Sequence, residues 1–426
     1  MVKFSFAALF FLFSAAVYGE ETLLRSAVID SALEKNLAYR AAQEESRSSY
    51  YRYMASWGSY LPTVDLGYRY TDTNSSNALN NASQARSSYT AEANINLFHG
   101  FRYYMNNRAL RSNYKGALED ELAVRLSTKM DTSLAFQNAL KSLYVLKTAA
   151  ASLENAELVL NETKLRVKLG SISNLDLYRA QADREKAYSD YLDAELNHLN
   201  ILQEISRLSG LSISKDIKLV DDAPPFKLKQ EAEYIEDALK YNTAIAKGCY
   251  LSKAADYTYN ENRGSFLPTV SASAGTGWYE PERGGDYNSN YIGVSATWNI
   301  FSGFSDFYQT LSASKTRNST RLNAVNTRND VMHNITIAYR RADVNDKKLK
   351  SSTAYVKAAD EAYKVTQEMF RLGRAPLKDV VDARISLQEA QSQLADAEYQ
   401  LAASYEELEY LTGGNSPRES YTESCE

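Results

Sequence analysis

Residues 89–101 read Tyr-Thr-Ala-Glu-Ala-Asn-Ile-Asn-Leu-Phe-His-Gly-Phe. Tyr89, Ala91, Ala93, Ile95 and Leu97 alternate with Thr90, Glu92, Asn94 and Asn96, the period of two that a strand with one apolar and one polar face requires. The alternation stops at Phe98-His-Gly-Phe101, and from Phe101 to Leu169 there is no proline and one glycine, Gly116. The same sentence returns 203 positions later: residues 292–304 read Ile-Gly-Val-Ser-Ala-Thr-Trp-Asn-Ile-Phe-Ser-Gly-Phe, followed by a second proline-free run to Leu372. A strand that hands over at once to a very long helix, twice, decides the fold.

Working outward, the whole chain is a tandem repeat. Ala32-Leu-Glu-Lys-Asn36 matches Ala238-Leu-Lys-Tyr-Asn242, and Leu61-Pro-Thr-Val64 matches Leu267-Pro-Thr-Val270, both at an offset of 206. Leu169-Gly170 matches Leu372-Gly373, and Ser209-Gly210 matches Thr412-Gly413, both at 203. The halves are residues 20–211 and 233–413, joined by a linker at 212–232 that contains Pro224-Pro225, with a polar tail at 414–426. A two-copy repeat of this length is a duplication rather than a solenoid. Residues 1–19 read as a secretory signal peptide: Lys3, an apolar run from Phe4 to Tyr18, and small residues Val17 and Gly19 before the cut. The alternative is an uncleaved anchor. No cysteine follows the run to take a lipid, and Cys249 and Cys425 are the only candidates for a disulfide.

Each half predicts a helix, two strands, a long helix and a further helix. Strands are expected at about 61–72 and 89–98, and again at about 267–278 and 291–301. The long helices are expected at 101–169 and 304–372, and the helices after them at 174–209 and 377–411. The polar stretches 73–88 and 279–290 are expected as external loops. Strands of about ten alternating residues suit a tilted crossing of an outer membrane, with Tyr68, Tyr70, Trp278 and Trp298 as interfacial aromatics. Ala139, Leu146, Leu153, Leu160 and Val167 recur at sevens, as do Ala342, Leu349, Val356, Tyr363 and Phe370, the mark of a coiled-coil seam. Phe101–Leu169 spans 69 residues, about 100 Å as helix. Helices 174–209 and 31–60 stacked end to end match that length. The fold class is α+β, dominated by long coiled-coil helices.

Four membrane strands cannot close a sheet, and an open edge in lipid leaves backbone groups unpaired. The chain must therefore associate. Two copies give eight strands, too narrow for a lumen. Three or four copies leave one. The charge of −5 over 426 residues gives no electrostatic case for nucleic acid.

The order helix, Leu-Pro strand, strand ending in Phe98-His-Gly-Phe101 or Trp298-Asn-Ile-Phe-Ser-Gly-Phe304, long helix, Leu-Gly turn, helix resembles the TolC family of outer-membrane efflux proteins. Leu372-Gly-Arg-Ala-Pro-Leu-Lys-Asp-Val-Val-Asp382 adds to the resemblance, which covers residues 20–413. It implies a homotrimer in outer-membrane lipid, with one shared twelve-stranded β-barrel and a periplasmic α-barrel tapering to a closed mouth. The linker 212–232 then falls in an equatorial region. The implied partners are a periplasmic adaptor (membrane fusion) protein and an inner-membrane transporter, and the implied function is a passive exit duct for efflux or type I secretion. No cofactor is implied. At the mouth the resemblance implies aperture carboxylates at Asp379 and Asp382, with Asp176 at the repeat-related position of Asp379. It implies gate-lock candidates at Arg374 and Phe370, although Phe370 lacks the family's hydroxyl and Ala375 stands where the family has a basic residue. It also implies adaptor contact at Leu169, Gly170, Ser171, Leu372, Gly373 and Arg374.

The residues themselves give those turns a plainer role as well. Gly170 and Gly373 suit left-handed C-caps, Asn174 an N-cap and Pro376 a first helical turn. Carboxylates early in a helix also complement its dipole. Ser212-Ile-Ser-Lys215 and Ser312-Ala-Ser-Lys315 read S-x-x-K but lack the K-T-G partner of that catalytic pattern. His99, His198 and His333 have no metal-ligand spacing, so no catalytic or metal-binding residue is expected. The alternatives to a duct are an envelope-spanning structural coiled coil, or a surface adhesin, without a conducting pore.

Overall fold

A computed structural model of the chain describes residues 22–77, 80–215, 217–223, 226–281 and 285–414. In chain order the elements are β1 (Thr22–Leu24), α1 (Arg25–Lys35), α2 (Leu37–Ser56), β2 (Thr63–Asn77), β3 (Asn80–His99), α3 (Arg102–Lys168) and α4 (Asn174–Ser209). There follow β4 (Lys218–Val220), α5 (Glu231–Tyr241), α6 (Thr243–Arg263), β5 (Thr269–Pro281), β6 (Tyr287–Thr297), α7 (Ser305–Arg371) and α8 (Leu377–Leu411). The signal peptide, Pro224-Pro225, Cys425 and the tail beyond Gly414 lie outside the described residues. None of the described helices is long and apolar enough to cross a membrane.

Two compact units emerge, and they do not follow the repeats. One holds the chain up to Asn36 with Asp131–Lys227 and Asn345–Ala403; the other holds Leu37–Met130, Leu228–Val344 and the chain from Ser404. Each has its own core. In the first, Leu23, Val28, Phe136, Ala139, Leu202, Ile205 and Leu219 pack together. In the second, Tyr234, Ala238, Val331, Ile335, Ala338, Ala342 and Leu408 do. Val28 and Tyr234, Ala139 and Ala342, and Ile205 and Leu408 are repeat partners, so the duplication built the same core twice.

The structure corrects several local expectations. The helix expected over 31–60 is broken at Asn36, and its copy is broken at Asn242. The Asn242 side-chain oxygen accepts from the Ala244 and Ile245 N–H groups at 2.9 and 3.1 Å, its amide nitrogen donates to the Leu411 carbonyl at 2.8 Å, and its backbone N–H closes α5 on Ala238. One side chain thus ends one helix and caps the next. The linker 212–232 is more than a connector: β4 pairs in parallel with β1, Leu219 beside Leu23, and both leucines are buried.

The first coiled-coil seam is also displaced. Of the expected positions only Ala139 is fully buried, while Leu146, Leu153, Leu160 and Val167 are half-buried. The deepest positions at sevens are Ser142, Ala149, Ala156 and Thr163, three residues round the helix. Small side chains let helices approach closely, and the leucines then flank the contact rather than fill it. In the second half Ala342, Tyr363 and Phe370 are buried as expected, with Leu349 and Val356 half-buried.

The sheet runs β2-β3-β5-β6, antiparallel throughout. Its strands run past the expected ends. β2 continues to Asn77 and pairs with Asn80 of β3, so most of 73–88 is strand rather than loop, because backbone ladders form regardless of side-chain polarity. Conversely β6 stops at Thr297, short of the expected 301. One face carries Val64, Leu66, Tyr68, Ala91, Ala93, Ala272, Ala274, Ile292 and Val294. Leu66 and Ile292 there are 83% and 88% exposed. The other face carries Asp65, Gly67, Thr90, Asn94, Ser273, Gly275, Gly277, Ser289 and Gly293. Tyr68, Tyr89 and Trp278 share one row, with Tyr70 one row above. Trp298 lies at the opposite end, level with Pro268, ten residues from Trp278. That is about 33 Å along a strand and about 25 Å of height at a 40° tilt, the depth of an outer-membrane apolar band.

Candidate functional site

Both interhelical tips are built alike. At the end of α3 the Ser171 N–H donates to the Arg166 carbonyl (2.9 Å) and the Gly170 N–H to Val167 (3.0 Å). At the end of α7 the Arg374 N–H donates to Met369 (2.8 Å) and the Gly373 N–H to Phe370 (2.9 Å). These are Schellman caps, and they require the left-handed φ of +70° at Gly170 and +72° at Gly373. Leu169 and Leu372 are left 80% and 59% exposed, on a surface with Ser171 and Arg374 beside them.

The chain restarts differently after each tip. Ser173, not the expected Asn174, is the N-cap of α4: its Oγ accepts from the Asp176 N–H at 3.4 Å. The register moves by one because Asn174 is already helical. In the second half the Pro376 carbonyl accepts from the Asp379 N–H at 3.2 Å, so Pro376 stands just before the first turn of α8 rather than inside it.

The candidate carboxylates separate by partner. Asp176 is half-buried, 3.1 Å from Ser173 Oγ and 3.7 Å from Arg179. Asp382 is exposed and paired to Lys378, one turn earlier, at 2.5 Å, and that carboxylate pushes the Lys378 ammonium pKa up. Asp379 is exposed and has no ion-pair partner among the described residues. The candidate lock residues also part company. Arg374 is exposed and contributes only its backbone N–H to the cap. Phe370 is 3% exposed, in a core with Val159, Ala180, Tyr363, Leu377 and Val380.

Sequence reasoning missed two polar ties near the tips. Arg166 of α3 lies over the Phe370 ring, 4.6 Å from its centroid, and donates to the Arg371 carbonyl at 2.7 Å. Arg384 of α8 pairs with Asp183 of α4 at 2.5 Å, with side chains only 5% and 9% exposed. It also donates to Ser152 of α3, whose hydroxyl in turn donates to Gln388 at 2.9 Å. An arginine at a helical position that periodicity assigns to a buried face is the one signal that could have found it. His198, on α4, is buried with Nδ1 2.8 Å from Ser142 Oγ, and burial holds its imidazole pKa below the usual range. No cluster of metal-binding side chains occurs among the described residues.

The chain matches the family described as outer membrane efflux protein over residues 28–211 and 234–414, one stretch in each repeat. It is 21% identical to the outer membrane protein TolC of Escherichia coli K12 over 408 residues, covering 90% of this chain and 78% of that one. It is 21% identical to the alkaline protease secretion protein AprF of Pseudomonas aeruginosa over 256 residues, 57% of this chain and 52% of that one. Among solved structures, CusC superposes with a TM-score of 0.82 at 16% identity, covering 92% of both chains. The Campylobacter jejuni outer membrane channel CmeC superposes at 0.79 and 18% identity, covering 92% of this chain and 85% of that one. These likenesses carry the fold, and the family match carries membership: the chain belongs to the outer membrane efflux protein family and resides in the outer membrane with its helices extending into the periplasm.

Proposed function

We propose that the chain is one third of a homotrimeric passive exit duct, driven by an inner-membrane transporter that reaches it through a periplasmic adaptor. The adaptor meets the tips at Leu169, Gly170, Ser171, Leu372, Gly373 and Arg374, and Asp379 and Asp382 converge at the mouth with Asp176 behind them. The relatives' names fit both efflux and protease secretion, and the reading assigns no catalytic residue.

The observation that carries it is an unmatched copy of an internal contact. Gly100 and Gly264 meet so closely that a Cβ on Gly100 would stand 2.2 Å from the Gly264 carbonyl oxygen. The repeat partners of this pair are Gly303 and Gly58, and beyond its own chain neighbours neither has an atom within 4 Å of where its Cβ would be. The β3–β5 ladder also joins the two repeats within the chain, while the related edges, β6 and β2, are open. A second copy added head to tail supplies both missing contacts, and repeated addition makes a ring when the rotation closes, as a sheet in lipid with no open edge requires. Three copies give twelve strands, enough for a lumen.

The test is mass determination of the detergent-extracted protein together with bilayer recording. A trimer with discrete conductance steps is expected. A monomer, or a trimer that never conducts, overturns the duct and returns the coiled-coil alternative.

A further inference from the structure

We propose that Arg166 is the clasp that holds the helix tips together in the closed state, an inference that rests on the mouth reading above. Arg166 lies in the last turn of α3. Its guanidinium stacks on Phe370 and its Nη2 reaches both the Arg371 carbonyl and Glu162 Oε1, each at 2.7 Å. The Arg371 carbonyl is among the last of α7, which have no acceptor duty inside the helix, and a cation is favoured at that end of the dipole. A planar guanidinium can stack and donate at once, which an ammonium cannot. The side chain is 19% exposed, so the contact is shielded yet within reach of solvent, as a releasable fastening must be.

The clasp ties the first repeat to the second, and it is one-sided. The repeat partner of Arg166 is Met369, and that of Phe370 is Val167. The same contact therefore cannot form where the second repeat of one copy meets the first repeat of the next. The buried Asp183–Arg384 pair, about two turns from the tips, is one-sided too: its repeat partners are Ser386 and Gln181. Both polar ties fall within one chain. The chain also lacks the hydroxyl at 370 and the basic residue at 375 that the family resemblance would use to fasten the tips, and Arg166 reaches the same ring from the facing helix.

The test is bilayer recording of the full-length trimer. Arg166→Ala and Phe370→Ala should each raise the open fraction on the order of tenfold, the scale of losing a stacked, hydrogen-bonded charge. The double variant should go no further than either. Arg166→Lys keeps the charge but loses stack and fork, and should fall between Arg166→Ala and the native chain; it decides the matter if the alanine variant does not assemble. Asp379→Ala with Asp382→Ala, scored by block with a trivalent cation, monitors the mouth independently. Native-like gating in the Arg166 variants, with block relieved in the aspartate variant, overturns the clasp and spares the mouth. Block unchanged in the aspartate variant removes the mouth from these tips, and the clasp with it.

Discussion

Arg384 and Asp183 show why a buried charge is read as a pair. Removing a carboxylate or guanidinium from water costs several kcal/mol, and mutual attraction repays it only while both partners remain. With side chains 5% and 9% exposed, neither has water to fall back on. Arg384→Met should therefore lower stability by about 3–5 kcal/mol, because Asp183 is left buried and unpaired. Asp183→Leu with Arg384→Met should recover most of that loss. Thermal unfolding of the trimer and both variants checks it, and equal loss in single and double variants would mean that the pair does not act as a unit. Periodicity can mark Arg384 as facing a buried surface but cannot name its partner, since 201 positions separate the two residues and nothing local links them. Gly170 and Gly373 were legible for the opposite reason: a C-cap is a local device, and Leu-Gly after a long periodic run announces it.

At the scale of elements, legibility followed period. Strand alternation and proline-free helical runs put every long element in place, because two and 3.6 are written into the side-chain order. What period leaves open is where a helix breaks, where a ladder ends, and which of two adjacent stripes lies deepest. Asn242 ends one helix and caps the next with its side chain, and its repeat partner Asn36 ends α1 with an extended backbone. Asn77 and Asn80 pair because ladders are made by the backbone. Ala149 and Ala156 lie deeper than Leu153 because the helices approach on small residues. Register between copies can still be derived. Ala91 pairs with Thr276 inside the chain; shifted by the repeat offsets, this becomes Val294 of one copy beside Tyr70 of the next. Tyr70→Cys with Val294→Cys should give oxidised dimers and trimers on a non-reducing gel, while each single variant stays monomeric in denaturant. Cross-linking that instead favours Tyr70→Cys with Ala296→Cys would move the register by two residues.

For the molecule as a whole, the mouth charge is the quantity that needs all three copies. Asp379 and Asp382 bring six carboxylates if three chains converge, and charges about 8 Å apart repel by roughly 2 kcal/mol at an effective dielectric of 20. A ring of that kind favours cations and binds multivalent ones, which a role limited to the dipole of α8 does not predict. The six are not equivalent, however. Asp382 is paired with Lys378 at 2.5 Å, an exposed i,i+4 pair that offsets part of its field, whereas Asp379 stands without such a partner. Asp379→Ala should therefore weaken block by a trivalent cation applied from the periplasmic side more than Asp382→Ala does. Lys378→Ala, which removes a counter-charge from each chain, should strengthen the block. Assembly should be native in all three, because the side chains are exposed. Equal effects of the two aspartates, or no effect of Lys378→Ala, would mean that the aperture field is set elsewhere along the lumen and that these carboxylates serve only the first turn of their helix.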